Sequence, residues 1–240
     1  MAGKPILFSG PMISALLDGR KSQTRRALAP QPYDFITGGH RYWNASGVVS
    51  GRICVSDRAL LDLHRKPKPG DMLYVCEEHY RYGHWEASEN ARTKRGRQKW
   101  QFVEDSPEIR FEAPEVFRKG RHHNDPSTPA WHKRLGRFMF RKHSRLTLVI
   151  TDVRIMRLRD ISEGDAVSEG APLDPNHRDT SGDGTNPHMV AVNAWTRISP
   201  VAWFHRLWDQ INGDGAWDKN PWVAAYTFRV IKSNIDRVAS

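Results

Sequence analysis

Apolar positions along this chain fall in short runs separated by long polar stretches, and the runs carry two different periods. Pro5 to Phe8 is a short apolar run. Behind it Pro11 opens a segment with Ile13, Leu16 and Leu17 on one helical face, and Gly19 follows the last of them. Proline at the start and glycine past the end predict a helix of one to two turns, with a change of direction at Gly19. The segment KPKPGDMLYVC, Lys66 to Cys76, sets a Pro/Gly turn directly before an apolar run and predicts a strand. From Leu146, LTLVITDVRIMRL alternates apolar and polar residues over a length suited to two strands or one bent strand. Asp160 to Gly170 reads as a short helix with Ser162 as its N-cap, Asp165 three residues on, and Gly170 as its stop. The strongest helix opens at Ser199 and Pro200, aligns Val201, Phe204, Trp208 and Ile211, and closes at Asn212 and Gly213. Trp222 to Ile231 alternates as a strand, with Trp222, Ala224, Tyr226, Phe228 and Val230 on one face and Arg229 on the other.

The polar stretches break this order. Tyr82 to Trp131 is charged and irregular, with Gly and Pro punctuation, and reads as an insertion or long loop, mobile in part. Ala171 to Asn193 is too rich in turn formers for a core element and reads as a flexible loop. The last residues, 233–240, read as a tail. There is no internal repeat and no heptad pattern. Few helices and several strands predict an α+β fold, a small mixed β-barrel with flanking short helices, better than a doubly wound sheet. The expected organisation is one domain over 1–232 with an insertion at 82–131 and a loop at 171–193.

Composition narrows the function. With 240 residues and 38% hydrophobic content the chain fills a sizeable core, which excludes a fully disordered protein. No apolar run has the length of a membrane span, and Met1 to Pro11 lacks the apolar centre of a secretory signal, so no membrane partner is expected. Cys54 and Cys76 are too few and too far apart for a disulfide framework or a four-thiolate zinc site. The expected compartment is the reducing cytoplasm.

Lys and Arg outnumber Asp and Glu by 37 to 27. Residues 1–160 carry thirty bases and seventeen acids, a surplus of +13, while residues 161–240 carry seven bases and ten acids. The densest basic stretches are Arg92 to Lys99 and the run from Arg118 to Arg145. That run interleaves its cations with His122, His123, Trp131, His132, Phe138 and Phe140. Bases with stackable rings suit a single nucleic-acid strand; equally, they suit a solvated charged loop over ordinary core aromatics.

Absent motifs exclude several chemistries. There is no phosphate-binding GxxxxGK[ST], no dinucleotide glycine fingerprint after a strand, no HExxH and no GxSxG elbow. His122, His123 and His132 lack a carboxylate at ligand spacing, so neither a metal nor another cofactor is expected. The most informative segment is GRKSQTRR, Gly19 to Arg26, just past a predicted helix stop. Such a cluster holds an anion, or lowers the pKa of Lys21 through repulsion from Arg20, Arg25 and Arg26, or is simply a solvated basic turn. Extended backbone would put Lys21 and Thr24 on opposite sides, so shared work by the two requires a turn or bulge. Glu169 ends the short helix, where the negative end of the dipole disfavours its ionised form unless a cation sits close by. Glu77 and Glu78 follow the strand ending at Cys76 and read as ligand contacts at a sheet rim or as solvated carboxylates.

The blocks LLDGRKSQTRR, KPGDMLYVCEE, SRLTLVITDVRIMRLRDISEGDAVSEG, FHRLWDQING and WVAAYTFRV, taken in order, resemble the ASCH-domain family of the PUA-like superfamily. They are most similar to the long versions carried by tailed bacteriophages and prophages. The resemblance implies a barrel of five or six strands with flanking helices and a cleft for a base or nucleotide. Some small bacterial members are amidohydrolases that remove an acyl group from N4-acetylcytidine, using a lysine and a threonine of a GxKTxTxR motif and a distant glutamate. Here Lys21 and Thr24 match that motif, Arg26 is its closing arginine, and DAVSEG puts the glutamate on Glu169. Ser22 stands in place of the usual threonine and Arg25 in place of an apolar residue.

The resemblance therefore implies a hydrolase of N4-acylated cytosine nucleosides. Lys21 would activate Thr24 or a water, Glu169 would pass the proton to the departing amine, and Arg26, Ser22 and Glu77 would contact substrate. The competing expectations are an RNA or single-stranded nucleic-acid-binding module, a ribonuclease, and a structural phage component.

Overall fold

The structure is a computed structural model of the chain, which describes residues 3–37, 40–44, 54–172 and 199–238. In chain order the elements are β1 (Lys4–Leu7), α1 (Gly10–Leu17), β2 (Gln23–Ala27), β3 (Tyr33–Thr37), β4 (His40–Asn44), β5 (Cys54–Val55), α2 (Asp57–Leu63) and β6 (Met72–Cys76). They continue with β7 (His79–Arg92), β8 (Gln98–Arg110), β9 (Ala130–Arg134), β10 (Thr147–Arg157), α3 (Glu163–Ser168), α4 (Pro200–Asn212), β11 (Trp222–Ile231) and α5 (Ile235–Val238). The expected α+β composition holds. The expected barrel does not, because the strand order β1-β6-β10-β11-β2 ends on β1 and β2 and the remaining sheets, β3-β4-β5 and β8-β7-β9, are three-stranded and open.

The chain groups into two compact units, each assembled from separated stretches of sequence. The first comprises the described residues up to Ile13, Met72–Leu148 and those from Ile231 onward. In it β1 lies parallel to β6, with Ile6 opposite Val75, and the Val75 amide donates to the Leu146 carbonyl just before β10. The stretch 82–131, expected to be an irregular loop, instead carries most of β7 and the whole of β8, paired antiparallel from Tyr80 opposite Arg110 to Arg92 opposite Gln98. β9 adds on the other side of β7, with Arg81 opposite His132. This sheet builds its own small core: Phe102 packs edge-on against Trp85 at 5.4 Å and His132 at 5.3 Å. Its outer reaches are polar on both faces, which is why no period-two apolar pattern marks it in the sequence.

The expected tail is also tied down. Ile235 at the start of α5 is buried, and Asn234 fixes the chain just before it. Its Nδ2 donates to the carbonyls of Arg141 at 2.9 Å and Ser144 at 2.8 Å, while its Oδ1 accepts from the Asp236 amide at 2.9 Å.

The second unit comprises the described residues of Ser14–Asp71 and Val149–Val230. β11 pairs antiparallel with β2, setting Tyr226 opposite Thr24 and Ala225 opposite Arg25. The 146–158 segment forms one strand, β10, rather than two. α3 and α4 carry the N-caps expected of them: Ser162 Oγ accepts from the Asp165 amide, and Ser199 Oγ from the Ala202 amide. Along α4, Phe204 and Trp208 are buried with Leu158, Ile161, Ala166, Trp217 and Val223. Ile211, expected on the same face, is exposed because α4 ends one turn after its last buried ring. The first five residues of β11 are all buried, so both faces of this strand are covered there. The loop expected at 171–193 lies, beyond Pro172, outside the described residues. Among the described residues no helix is long and apolar enough to cross a membrane.

Asn234→Ala would remove three hydrogen bonds; the Arg141 carbonyl keeps the Ser144 amide and the Asp236 amide is exposed to water, so the main cost is the Ser144 carbonyl, at about 1–3 kcal/mol for an unsatisfied group when buried. Urea unfolding of this variant is expected to show a loss of roughly 2 kcal/mol with an unchanged m-value.

Candidate functional site

The site begins at a helix stop. Gly19 ends α1 with φ +74°, and the amides of Arg20 and Lys21 both turn back to the Ala15 carbonyl, at 2.9 and 3.0 Å. The next amide, Ser22, donates to the Ser168 carbonyl at 2.8 Å, and the Ser22 carbonyl accepts from the Phe228 amide at 2.9 Å. These bonds hold the GRKS segment against the end of α3 before β2 starts. Gly170 is required at the closest approach: its φ is +105°, and a Cβ would lie 3.0 Å from Ala15 Cβ and 3.5 Å from Lys21 Cβ.

Lys21 and Glu169, 148 residues apart, meet there. The Lys21 amine donates to Glu169 Oε2 at 2.7 Å and to the Glu169 backbone carbonyl at 2.7 Å. The first contact is an ion pair; the second satisfies a carbonyl left over at the end of α3. Arg25 completes the arrangement from β2. One guanidinium nitrogen, Nη1, reaches Glu169 Oε1 at 3.0 Å, and the other, Nη2, reaches Asp165 Oδ2 at 3.0 Å. Asp165 and Glu169 are four residues apart at the two ends of α3, so they rise on one face and a single planar fork spans both. Lys21 is 1% exposed, Arg25 2% and Glu169 2%, so the cluster is removed from water. Arg20 extends it at the surface, donating to the Gly170 carbonyl at 3.1 Å.

Burial is the largest influence on Lys21 and lowers its pKa from the ordinary lysine value of 10.5. The charge and hydrogen bond of Glu169 oppose the shift, and the charges of Arg26 and Arg25 add to it. Repulsion among cations, the cause anticipated from the sequence, is thus secondary to desolvation. Arg26 is lowered too, by burial first, with the charge of Glu169 opposing. Burial alone would raise Asp165, but the charge of Arg25, the hydrogen bonds of Arg154 and Gln23 and the charge of Arg154 outweigh it and hold this carboxyl below its ordinary 3.8. The Arg25 Nε is buried and has no hydrogen-bond partner among the described residues. Around the guanidinium sit the Met156 sulfur at 3.8 Å and the Phe204 ring at 5.8 Å.

Of the residues singled out in the sequence, Lys21 and Glu169 are brought into contact. Thr24 is buried on β2 opposite Tyr226. The β2 side chain that meets Glu169 is its neighbour Arg25, and strand alternation turns adjacent side chains to opposite faces. Arg26 is close enough for Glu169 to act on its ionisation, and Ser22 contributes through its backbone. Glu77, expected as a substrate contact, belongs to the first unit. It is buried, and both carboxylate oxygens are taken up by Arg145, at 3.0 and 2.9 Å. Glu78 pairs with Lys133 at 2.8 Å.

Arg25 and Asp165 were not among the expected site residues. Their signal was present as two acids at i, i+4 spacing on a short helix, and as a strand too polar for its covered position unless its charges are paired.

No family model, no characterised protein and no solved structure matches this chain.

Removing one member of a buried ion network leaves its partners charged and dry, at a cost of about 3–5 kcal/mol. Arg25→Met, which abandons both Asp165 and Glu169, is expected to lose roughly that much in urea unfolding. Asp165 supplies a pH signature. Its folded pKa lies below 3.8, so its stabilisation is complete above that value and disappears as pH falls through the folded pKa. The drop in Tm between about pH 5 and pH 2 should therefore be shallower in Asp165→Asn than in the native chain.

Proposed function

We propose that this chain is a cytoplasmic amidohydrolase of the ASCH type that removes acyl groups from N4-acylated cytosine nucleosides, with Lys21 and Glu169 as its acid–base pair. The observation that carries the reading is the 2.7 Å contact between a desolvated amine and a carboxylate 148 residues apart in the chain. Support for the substrate comes from the resemblance of GRKSQTRR and DAVSEG to the motifs of that family.

A single proton moves across the pair. Neutral Lys21 takes a proton from a water molecule as its oxygen attacks the acyl carbonyl, forming the C–O bond. The C–N bond then breaks, the proton passes through Glu169 to the exocyclic nitrogen, and a carboxylic acid and cytosine nucleoside leave. Burial favours this chemistry because it holds the amine's proton less tightly than water would. Arg25 fixes Glu169 through its second oxygen. The buried Nε of Arg25 would donate to the developing oxyanion, and Arg26, the closing arginine of the motif, would orient the base. Water is the preferred nucleophile because Arg25, rather than Thr24, occupies the β2 position that meets Glu169.

Purified protein incubated with N4-acetylcytidine, followed by the absorbance change on release of cytidine, tests the reading. Lys21→Met and Glu169→Gln are each expected to lose about 10²–10⁴ in kcat, the range for a positioned acid or base, whereas Thr24→Val stays within about tenfold. The rate should rise with pH as Lys21 deprotonates, with a midpoint below 10.5. A folded native chain that releases no cytidine at any pH would reduce the cluster to a structural ion network.

A further inference from the structure

The basic run that the sequence offers to nucleic acid divides in two once its side chains are placed. His132 is buried, and Trp131 lies beneath Arg110, whose guanidinium sits 4.4 Å from the ring centroid. Those rings are the core of the β8-β7-β9 sheet. The segment after β9 differs. Phe138 is 49% exposed and Phe140 62%, with Leu135 also exposed. From Arg134 to Arg145 the sequence carries five basic residues and no acidic one.

The exposed rings are held on a built ledge. Two 3-10 turns, Gly136–Phe138 and Arg141–His143, carry the backbone. Met139 is buried between the two phenylalanines. Gly136 is pressed so close to β6 and the residue after it that a Cβ would lie 3.1 and 3.2 Å from the backbone carbons of Glu77 and Cys76. Beyond the rings, Ser144 Oγ lies 2.8 Å from the Val75 carbonyl, and Asn234 holds the carbonyls of Arg141 and Ser144. The rings are therefore presented in one geometry, without the ordering cost of a loose loop.

Cations stand at the Phe138 ring, and an imidazole at Phe140. The guanidinium of Arg137 is 5.0 Å from the Phe138 centroid and that of Arg134 is 5.1 Å, while His143 meets Phe140 edge-on at 5.9 Å. Arg141 and Arg145 are anchored to Asp236 and Glu77. Arg137 and Lys142 are exposed. Flat apolar faces alternating with positive charge at residue spacing match a strand in which bases alternate with phosphates. A lipid surface asks instead for rings and cations in separate layers.

We propose that the Leu135–Lys142 ledge is a docking surface for single-stranded nucleic acid, with Phe140 and Phe138 stacking on successive bases and Arg137 and Lys142 meeting the backbone phosphates. The rest of the basic run supports the sheet beneath it.

The test uses the full chain and a fluorescein-labelled oligo-dT of about fifteen nucleotides, read by anisotropy at about 50 and 300 mM salt. Binding is expected at the lower salt and should weaken steeply at the higher. Phe140→Ala and Phe138→Ala should each weaken it about tenfold, Phe140→Trp should retain it, and Ile211→Ala, an exposed apolar residue elsewhere, should leave it unchanged. Circular dichroism of each variant establishes that the fold is kept. No binding at the lower salt overturns the proposal. So does binding that falls with Arg137→Ala but ignores both phenylalanine changes, since that is charge alone. Loss of anionic-vesicle binding in the phenylalanine variants, with oligonucleotide binding intact, would also overturn it and assign the ledge to a membrane surface.

Discussion

Charged side chains leave water only when other charges and hydrogen bonds replace it, and that constraint shapes the second unit of this protein. Arg25 is buried on a covered strand, so two acids must stand within reach of its fork, and the i, i+4 spacing of Asp165 and Glu169 on α3 provides them. Glu169 has a second oxygen, which takes the amine of Lys21. The amine reaches it because α1 stops at Gly19 and the next three amides bind backward or across to Ser168. Gly170 is the residue that lets Lys21 and Ala15 come this close. Each feature of the local backbone follows from the need to neutralise buried charge.

Burial bears on the stability of this cluster and on the ionisation of Lys21 alike. The desolvation that would make an isolated charge intolerable also lowers the pKa of Lys21, while Glu169 pulls it back. The two effects act on one amine held 2.7 Å from the carboxylate. The first unit adds aromatic rings to the partners of its cations. There, beside ion pairs such as Arg145 with Glu77, guanidinium groups lie over rings, as with Arg145 at 4.0 Å from Phe111, Arg121 at 4.2 Å from Trp100 and Arg134 at 4.4 Å from Phe102. Its aromatic content thus serves a sheet core in one place and an exposed ledge in another.

Much of this was legible in the sequence where a period and its punctuation agreed. Ser162 and Ser199 mark their helices because a hydroxyl before a helical run has a backbone amide to accept from. Met72–Cys76 follows its Pro/Gly turn as a strand. Lys21 and Glu169 were paired through their motifs, and they meet. Three things were hidden. β7 and β8 have no apolar alternation because long parts of both faces stay wet, so hairpin and polar loop look alike. The sheet was expected to close, but the strand order that decides closure is set by contacts far apart in the chain. Arg25 reads as out of place on a buried strand until the spacing of two acids 140 and 144 residues later is read with it. Glu77 shows the converse: its position after β6 was visible, whereas the arginine that occupies its carboxylate, 68 residues on, was not.

The most direct test of this account is the ionisation of Lys21 itself, followed by NMR on selectively labelled lysine in the native chain and in Glu169→Gln. Burial should place its midpoint below 10.5, and loss of the carboxylate, which pulls the value upward, should move it lower still. A Lys21 that titrates at the ordinary lysine value in both proteins would show an amine exposed to water and uncoupled from Glu169, contradicting the account.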